Sequence, residues 1–169
     1  MEEKLLHAEE EEVEKNLPFL TRENLNSSPA AVSFDTAKLN LLRGSFGLCK
    51  DEKLKSQKNI EQLFNEGKSV FHSGFTLVYL AKPLEAAFPA QVGFSVPKRF
   101  YKRATDRNRV KRLMREAYRK NKWPLYEKLL AQQQQVSLLF VYKGKVIPDQ
   151  HTVNQAVITC LQKFMKLYE

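Results

Sequence analysis

At 169 residues, 43% apolar and 28% charged, the chain suits one domain with a real core plus an extension. Its formal net charge of +9 favours a polyanionic partner, nucleic acid ahead of acidic membrane. No run approaches the roughly 18 apolar residues of a membrane span. The acidic start Met1-Glu2-Glu3-Lys4 lacks the pattern of a secretory signal. Cys49 and Cys160, far apart, make no disulfide framework. A cytoplasmic protein with two reduced thiols is expected.

Charge divides the chain. Residues 1–45 hold five Lys/Arg against nine Asp/Glu, which leaves 23 against ten for residues 46–169. The first part, with the acidic run Glu9–Glu12 and the polar stretch Asn24–Ala30, reads as a disordered, solubilising extension. The sharper alternative is an acidic arm that folds onto the basic surface and competes with RNA. Truncation to residue 46 separates the two, since an autoinhibitory arm must change RNA affinity or its salt dependence.

The domain is expected over residues 46–169. Ser56 caps a helix running to about Asn65, with Ile60, Leu63 and Phe64 on one face and Gly67 as terminator. Phe75–Leu80 and Gln91–Val96 read as strands, separated by a loop containing Pro83 and Pro89. In the second strand Val92, Phe94 and Val96 alternate with Gly93 and Ser95, so its small face admits a close neighbour. A helix follows from about Thr105 to Asn121, capped by Asp106 or Thr105 and ended by Trp123-Pro124. Val136–Tyr142 is the strongest strand, apolar enough to be buried on both faces. Thr152–Lys166 closes the chain as a helix with Val153, Ala156, Val157, Cys160, Leu161 and Phe164 at helical spacing. The order is αββαβα, an α+β fold (an α/β sandwich) of one sheet with helices.

Between Lys98 and Lys122 there are twelve Lys/Arg and only two acids, Asp106 and Glu116. At 100° per residue, Val110, Leu113, Met114, Ala117 and Tyr118 share one arc of this helix. Arg107, Asn108, Lys111, Arg112, Arg115 and Arg119 lie opposite. One stripe anchors the helix, and the other is a rigid row of cations. Like charges at i, i+4 cost a few tenths of a kcal/mol per pair, which a phosphate backbone lying across them offsets. The Arg fork suits structured RNA because it bonds two phosphate oxygens and stacks on bases.

A protein-only nuclease needs clustered carboxylates or metal ligands. His7, His72 and His151 are scattered, and none has metal-ligand spacing with Cys49 or Cys160. No glycine-rich phosphate loop occurs, and no Ser, Thr or Cys has an evident base and orienter. No catalytic residue and no bound metal or cofactor is expected in the protein itself.

The strand Val92-Gly93-Phe94-Ser95-Val96-Pro97-Lys98-Arg99, followed by the helix Arg107-Asn108-Arg109-Val110-Lys111-Arg112-Leu113-Met114-Arg115-Glu116, resembles the signature of the bacterial ribonuclease P protein component. The resemblance spans roughly residues 50–166 and includes Lys53-Leu54-Lys55-Ser56 and Leu63-Phe64-Asn65-Glu66-Gly67. It implies a central mixed sheet with a left-handed βαβ crossover, against the usual rule, in a ribosomal-protein-S5-domain-2-like fold. It implies the accessory subunit of a ribonucleoprotein endonuclease that removes the 5′ leader from precursor tRNA. In that enzyme the RNA subunit is the catalyst and uses Mg²⁺. Implied partners are the ribonuclease P RNA and the leader, with no membrane and no small-molecule substrate. By position, the RNA-binding set is Lys98, Arg99, Arg103, Arg107, Asn108, Arg109, Lys111, Arg112, Arg115 and Arg119. The leader cleft, between the sheet and the first helix, takes Ile60, Phe64 and Val78. Better-known members carry aromatics at the positions of Ile60 and Val78, so less base stacking is expected here. Phe64 is either cleft or core. The competing readings are a non-catalytic structured-RNA-binding module of ribosomal-protein type and a self-sufficient nuclease.

Overall fold

The computed structural model describes residues 47–84 and 88–167. The acidic extension read over residues 1–45 lies outside them. Ser56 caps helix α1 (Gln57–Glu66), its hydroxyl accepting from the Asn59 N–H. Gly67 ends α1, though not for the conformational freedom of glycine, since its φ is −73°. A Cβ there would lie 2.2 Å from the Leu63 carbonyl oxygen and 2.9 Å from Val78 Cγ1. The helix end is thus pressed onto the sheet, and only glycine fits between.

Strand β1 (Lys68–His72) pairs with β2 (Phe75–Ala81) through Ser73 and Gly74, with φ of 47° and 77°. Two positive-φ residues make the tight turn whose twist matches that of the flanking strands. Strand β3 (Ala90–Ser95), helices α2 (Ala104–Asn121) and α3 (Trp123–Ala131), strand β4 (Val136–Tyr142) and helix α4 (Gln150–Leu167) follow. The order is therefore αβββααβα, which corrects αββαβα within the same α+β class. β1 escapes the sequence pattern because Val70 is its one buried residue. α3 escapes it because Pro124 sits in the first turn, where its missing N–H costs nothing, and so opens a helix instead of only closing one. The cap of α2 also differs. The helix begins at Ala104, its N-cap Arg103 makes no side-chain cap bond, and Asp106 lies in the first turn, where its charge favours the helix dipole.

The sheet runs β1-β2-β4-β3, with β4 antiparallel to β2 and parallel to β3. All seven residues of β4 are buried, as expected of its apolar run. The alternating side chains divide the sheet into unlike faces. On one, Leu77, Tyr79, Val92, Leu138 and Phe140 pack with Val110, Met114 and Tyr118 of α2 and Val153, Val157 and Phe164 of α4. On the other, Val78, Leu139 and Val141 pack with Leu54 and Leu63, and Ile60 and Leu80 lie half-buried against them. Each buried Leu, Val or Phe contributes roughly 1.5–3 kcal/mol, so the α2/α4 face carries most of the stability. The α1 face is thinner and more polar. Thr76 and Ser137, which alternate with the apolar residues there, hold hydroxyls that have no hydrogen-bond partner among the described residues.

The small face of β3 has a neighbour from the chain itself. The segment before α1 runs beside β3, with Val92 N–H donating to the Glu52 carbonyl at 2.8 Å and Leu54 N–H to the Val92 carbonyl at 3.0 Å. Leu54 then packs 3.6 Å from where a Gly93 Cβ would stand. This strap covers the β3 edge and sets α1 in place. Both cysteines are free, and burial pushes the Cys160 thiol up to about 11.

Candidate nucleic-acid interface

Helix α2 is fixed from three sides. Val110, Met114, Ala117 and Tyr118 are buried and Leu113 is partly buried against the core, as the periodicity requires. At the N-terminal end Arg107 donates to the carbonyls of Tyr101 (2.8 Å) and Lys102 (2.7 Å), drawing the preceding loop onto the helix. Val96 and Tyr101, both buried, pin that loop to the core. Lys98 and Arg99 are thereby held next to α2, and the Arg99 guanidinium lies 4.7 Å from the centre of the Phe100 ring.

At the C-terminal end stands a cluster that the sequence conceals. Lys122, part of the basic run, is 2% exposed and forms an ion pair with Glu52, which is fully buried. Lys122 Nζ also donates to the Gly47 carbonyl at 2.8 Å. Glu52 accepts from Tyr126 Oη at 2.6 Å and from the Cys49 N–H at 2.5 Å. Hydrogen bonds on both sides of the pair are what make its burial tolerable. Lys122 therefore belongs to the interior and offers nothing to RNA. The cluster joins the strap ahead of α1 to the junction of α2 and α3.

The remaining cations divide by engagement. Arg119 is held by Glu116 at 2.9 and 2.5 Å, and Lys120 lies 3.4 Å from the same carboxylate. The hydrogen bond from Arg119 holds the Glu116 carboxyl below its usual range, with Lys120 adding to it. Arg107 spends part of its fork on the loop. Lys98, Arg103, Asn108, Arg109, Arg112 and Arg115 are exposed. Arg103 and Arg107 lie at the N-terminal end of α2, where the helix dipole disfavours positive charge. Both thus work against the helix they start, and an anion at that end would reverse the penalty.

Ile60, Phe64 and Val78 come together at α1, with different exposures. Phe64 is 57% exposed, so it is not core. Ile60 is half-buried against the smaller cluster. Val78 is only 8% exposed, beneath α1. Phe64 is the one aromatic of the three, and its ring is open to solvent. Among the described residues no three His, Cys, Asp or Glu side chains gather as a metal site would need, and no helix there is long and apolar enough to cross a membrane.

Comparison with known proteins gives one answer. The family model described as Ribonuclease P matches residues 48–165. A ribonuclease P protein component of Porphyromonas gingivalis is 39% identical over 114 residues, 67% of this chain and 82% of the relative. That of Dictyoglomus thermophilum is 33% identical over 128 residues, 75% of this chain and 98% of the relative. Among solved structures, the Staphylococcus aureus ribonuclease P protein superposes with a TM-score of 0.55 at 16% identity, covering 67% of this chain and 94% of that one. The Thermotoga maritima protein superposes with a TM-score of 0.52 at 22% identity, covering 66% and 96%. At those identities the structures speak for the fold alone.

Proposed function

The chain belongs to the bacterial ribonuclease P protein family, and from that premise we propose that it binds the ribonuclease P RNA through the exposed face of α2 and the 5′ leader of precursor tRNA through the α1 side of the sheet. The observation that carries the first half is the open row Asn108, Arg109, Arg112 and Arg115 on a helix locked by its core stripe and both ends. Rigid spacing lets several phosphates be met at once without ordering each side chain anew. Lys98, Arg99, Arg103 and Lys111 extend the surface, and Arg107 and Arg119 shape its ends. Cleavage belongs to the RNA subunit, with Mg²⁺ as its cofactor. The part of this chain is to bind, position and tighten substrate recognition.

The leader half rests on the thinner sheet face, where the exposed Phe64 ring of α1 offers a stacking surface. Replacement of the other two family aromatics by Ile60 and Val78 leaves Phe64 as the principal ring on α1.

Reconstitution tests the reading. Purified protein, a bacterial ribonuclease P RNA, precursor tRNA and low Mg²⁺ are combined and scored for 5′ cleavage, with each component omitted in turn. Cleavage that needs the RNA and rises strongly with the protein is expected. Tight RNA binding without stimulation would instead indicate a general structured-RNA-binding module. Cleavage by the protein alone would place catalysis in this chain and refute the proposal.

A further inference from the structure

Among the described residues a second large aromatic is open to solvent: Phe71, on edge strand β1, is 48% exposed. Register fixes the side on which it stands. Val70 is buried in the α2/α4 core, so its neighbours Ser69 and Phe71 project to the α1 face. Phe71 pairs with Thr76, and Ser69 with Val78, the residue on which Gly67 at the end of α1 rests. Phe71 therefore stands one pleat repeat, about 7 Å, beyond the point where α1 meets the sheet. Phe64 lies one turn back along α1 from that point. The two exposed rings flank the same helix end.

The hairpin that carries Phe71 and the segment beside its turn bear cations and no acids. No acid occurs between Gly67 and Ala81, nor between Lys143 and Pro148. Lys163 Nζ donates to the Phe71 carbonyl at 3.1 Å. The turn at Gly74 accepts from the Lys143 N–H at 2.8 Å, which brings Lys143 and Lys145, both exposed, beside the hairpin. An exposed ring with a lysine rim is the pattern that binds single-stranded nucleic acid, the ring stacking a base and the cations following the phosphates.

We propose that Phe71 is a second base-stacking platform for the single-stranded 5′ leader, continuing the path past Phe64, with Lys143 and Lys145 beside the hairpin turn facing its phosphates. The proposal rests on the leader reading above and supplies part of the stacking that Ile60 and Val78 do not. Its position beyond the end of α1 makes it a determinant of leader length. Only a leader long enough to pass Phe64 reaches it.

The test uses the full chain in reconstituted holoenzyme, with precursor tRNAs carrying leaders from one to about ten nucleotides and mature tRNA as reference. Phe71→Ala should weaken binding of long-leader precursors by about 5- to 150-fold, the range expected when one base–aromatic stack is removed. It should leave short-leader precursors, mature tRNA and RNA-subunit affinity unchanged. Phe71→Trp should keep long-leader affinity and show indole quenching when a leader oligonucleotide is added. Phe64→Ala, measured alongside, tests the underlying reading. Loss with Phe64→Ala on leader-bearing substrates but none with Phe71→Ala would overturn this proposal and leave that reading standing. Loss with neither variant would remove both. Loss with Phe71→Ala that is equal at all leader lengths, or that tracks only a change in self-association, would also overturn it.

Discussion

Substitution of Lys122 by Met removes the cation from the Glu52 cluster while keeping most of its volume. The Glu52 carboxylate would stay fully buried with the Tyr126 hydroxyl and the Cys49 N–H as donors but without its counter-charge. Breaking one side of a buried ion pair costs about 3–5 kcal/mol. For a domain of this size that lowers Tm by about 10–20 °C. Glu52→Gln should fall toward the lower end. Its Lys122 ammonium keeps the Gly47 carbonyl and the ring faces of Trp123 and Tyr126, at 5.7 and 5.3 Å. The double variant carries neither charge and should cost clearly less than the sum of the two, with a coupling of about 2–3 kcal/mol. Urea unfolding followed by the fluorescence of Trp123, the sole tryptophan, and by circular dichroism gives all four corners of the cycle. Additive losses, or a Lys122→Met loss below about 1 kcal/mol, would refute the view that this pair locks the strap to the end of α2.

Two further predictions concern burial and backbone. Burial raises the phenols of Tyr79, Tyr101, Tyr118, Tyr126 and Tyr142, Tyr101 to about 12. Each stays protonated in the fold after its unfolded counterpart ionises near 10, so stability holds below pH 10 and falls above it. Absorbance at 295 nm should show Tyr118 and Tyr126 ionising only with loss of the folded signal; normal titration of both in folded protein would contradict their placement. Gly67→Ala puts a Cβ 2.2 Å from a backbone oxygen and should destabilise by about 1–3 kcal/mol. A stability gain in thermal unfolding would show that α1 does not press on Val78.

How much of the fold is legible in the sequence follows from packing. β4, α4 and the buried stripe of α2 are strongly patterned because they are packed on at least one whole face, and their residues are found where the pattern puts them. β1 is an edge strand with Val70 alone buried, so its only signal was the Ser73-Gly74 turn. Trp123-Pro124 reads equally as a stop and as a start. Lys122 is indistinguishable from its basic neighbours until Glu52, seventy residues earlier, is brought to it by the strap along β3. The same holds for Arg107 and Arg119, whose partners decide how much of each fork is left for RNA. Gly67 was legible as a helix end, but its cause, the approach of Val78, is tertiary.

On the proposed function, the open cations of α2 are the surface that meets the ribonuclease P RNA. The direct measurement is the salt dependence of RNA-subunit binding by the full chain and by the triple variant Arg109→Ala, Arg112→Ala, Arg115→Ala, whose side chains bear no packing role among the described residues. Removing one phosphate-binding cation should take about 0.7–0.9 from the slope of log K against log salt, so the triple variant should be shallower by about 2–3. An unchanged slope and affinity in a variant that folds normally would place the RNA elsewhere on the protein.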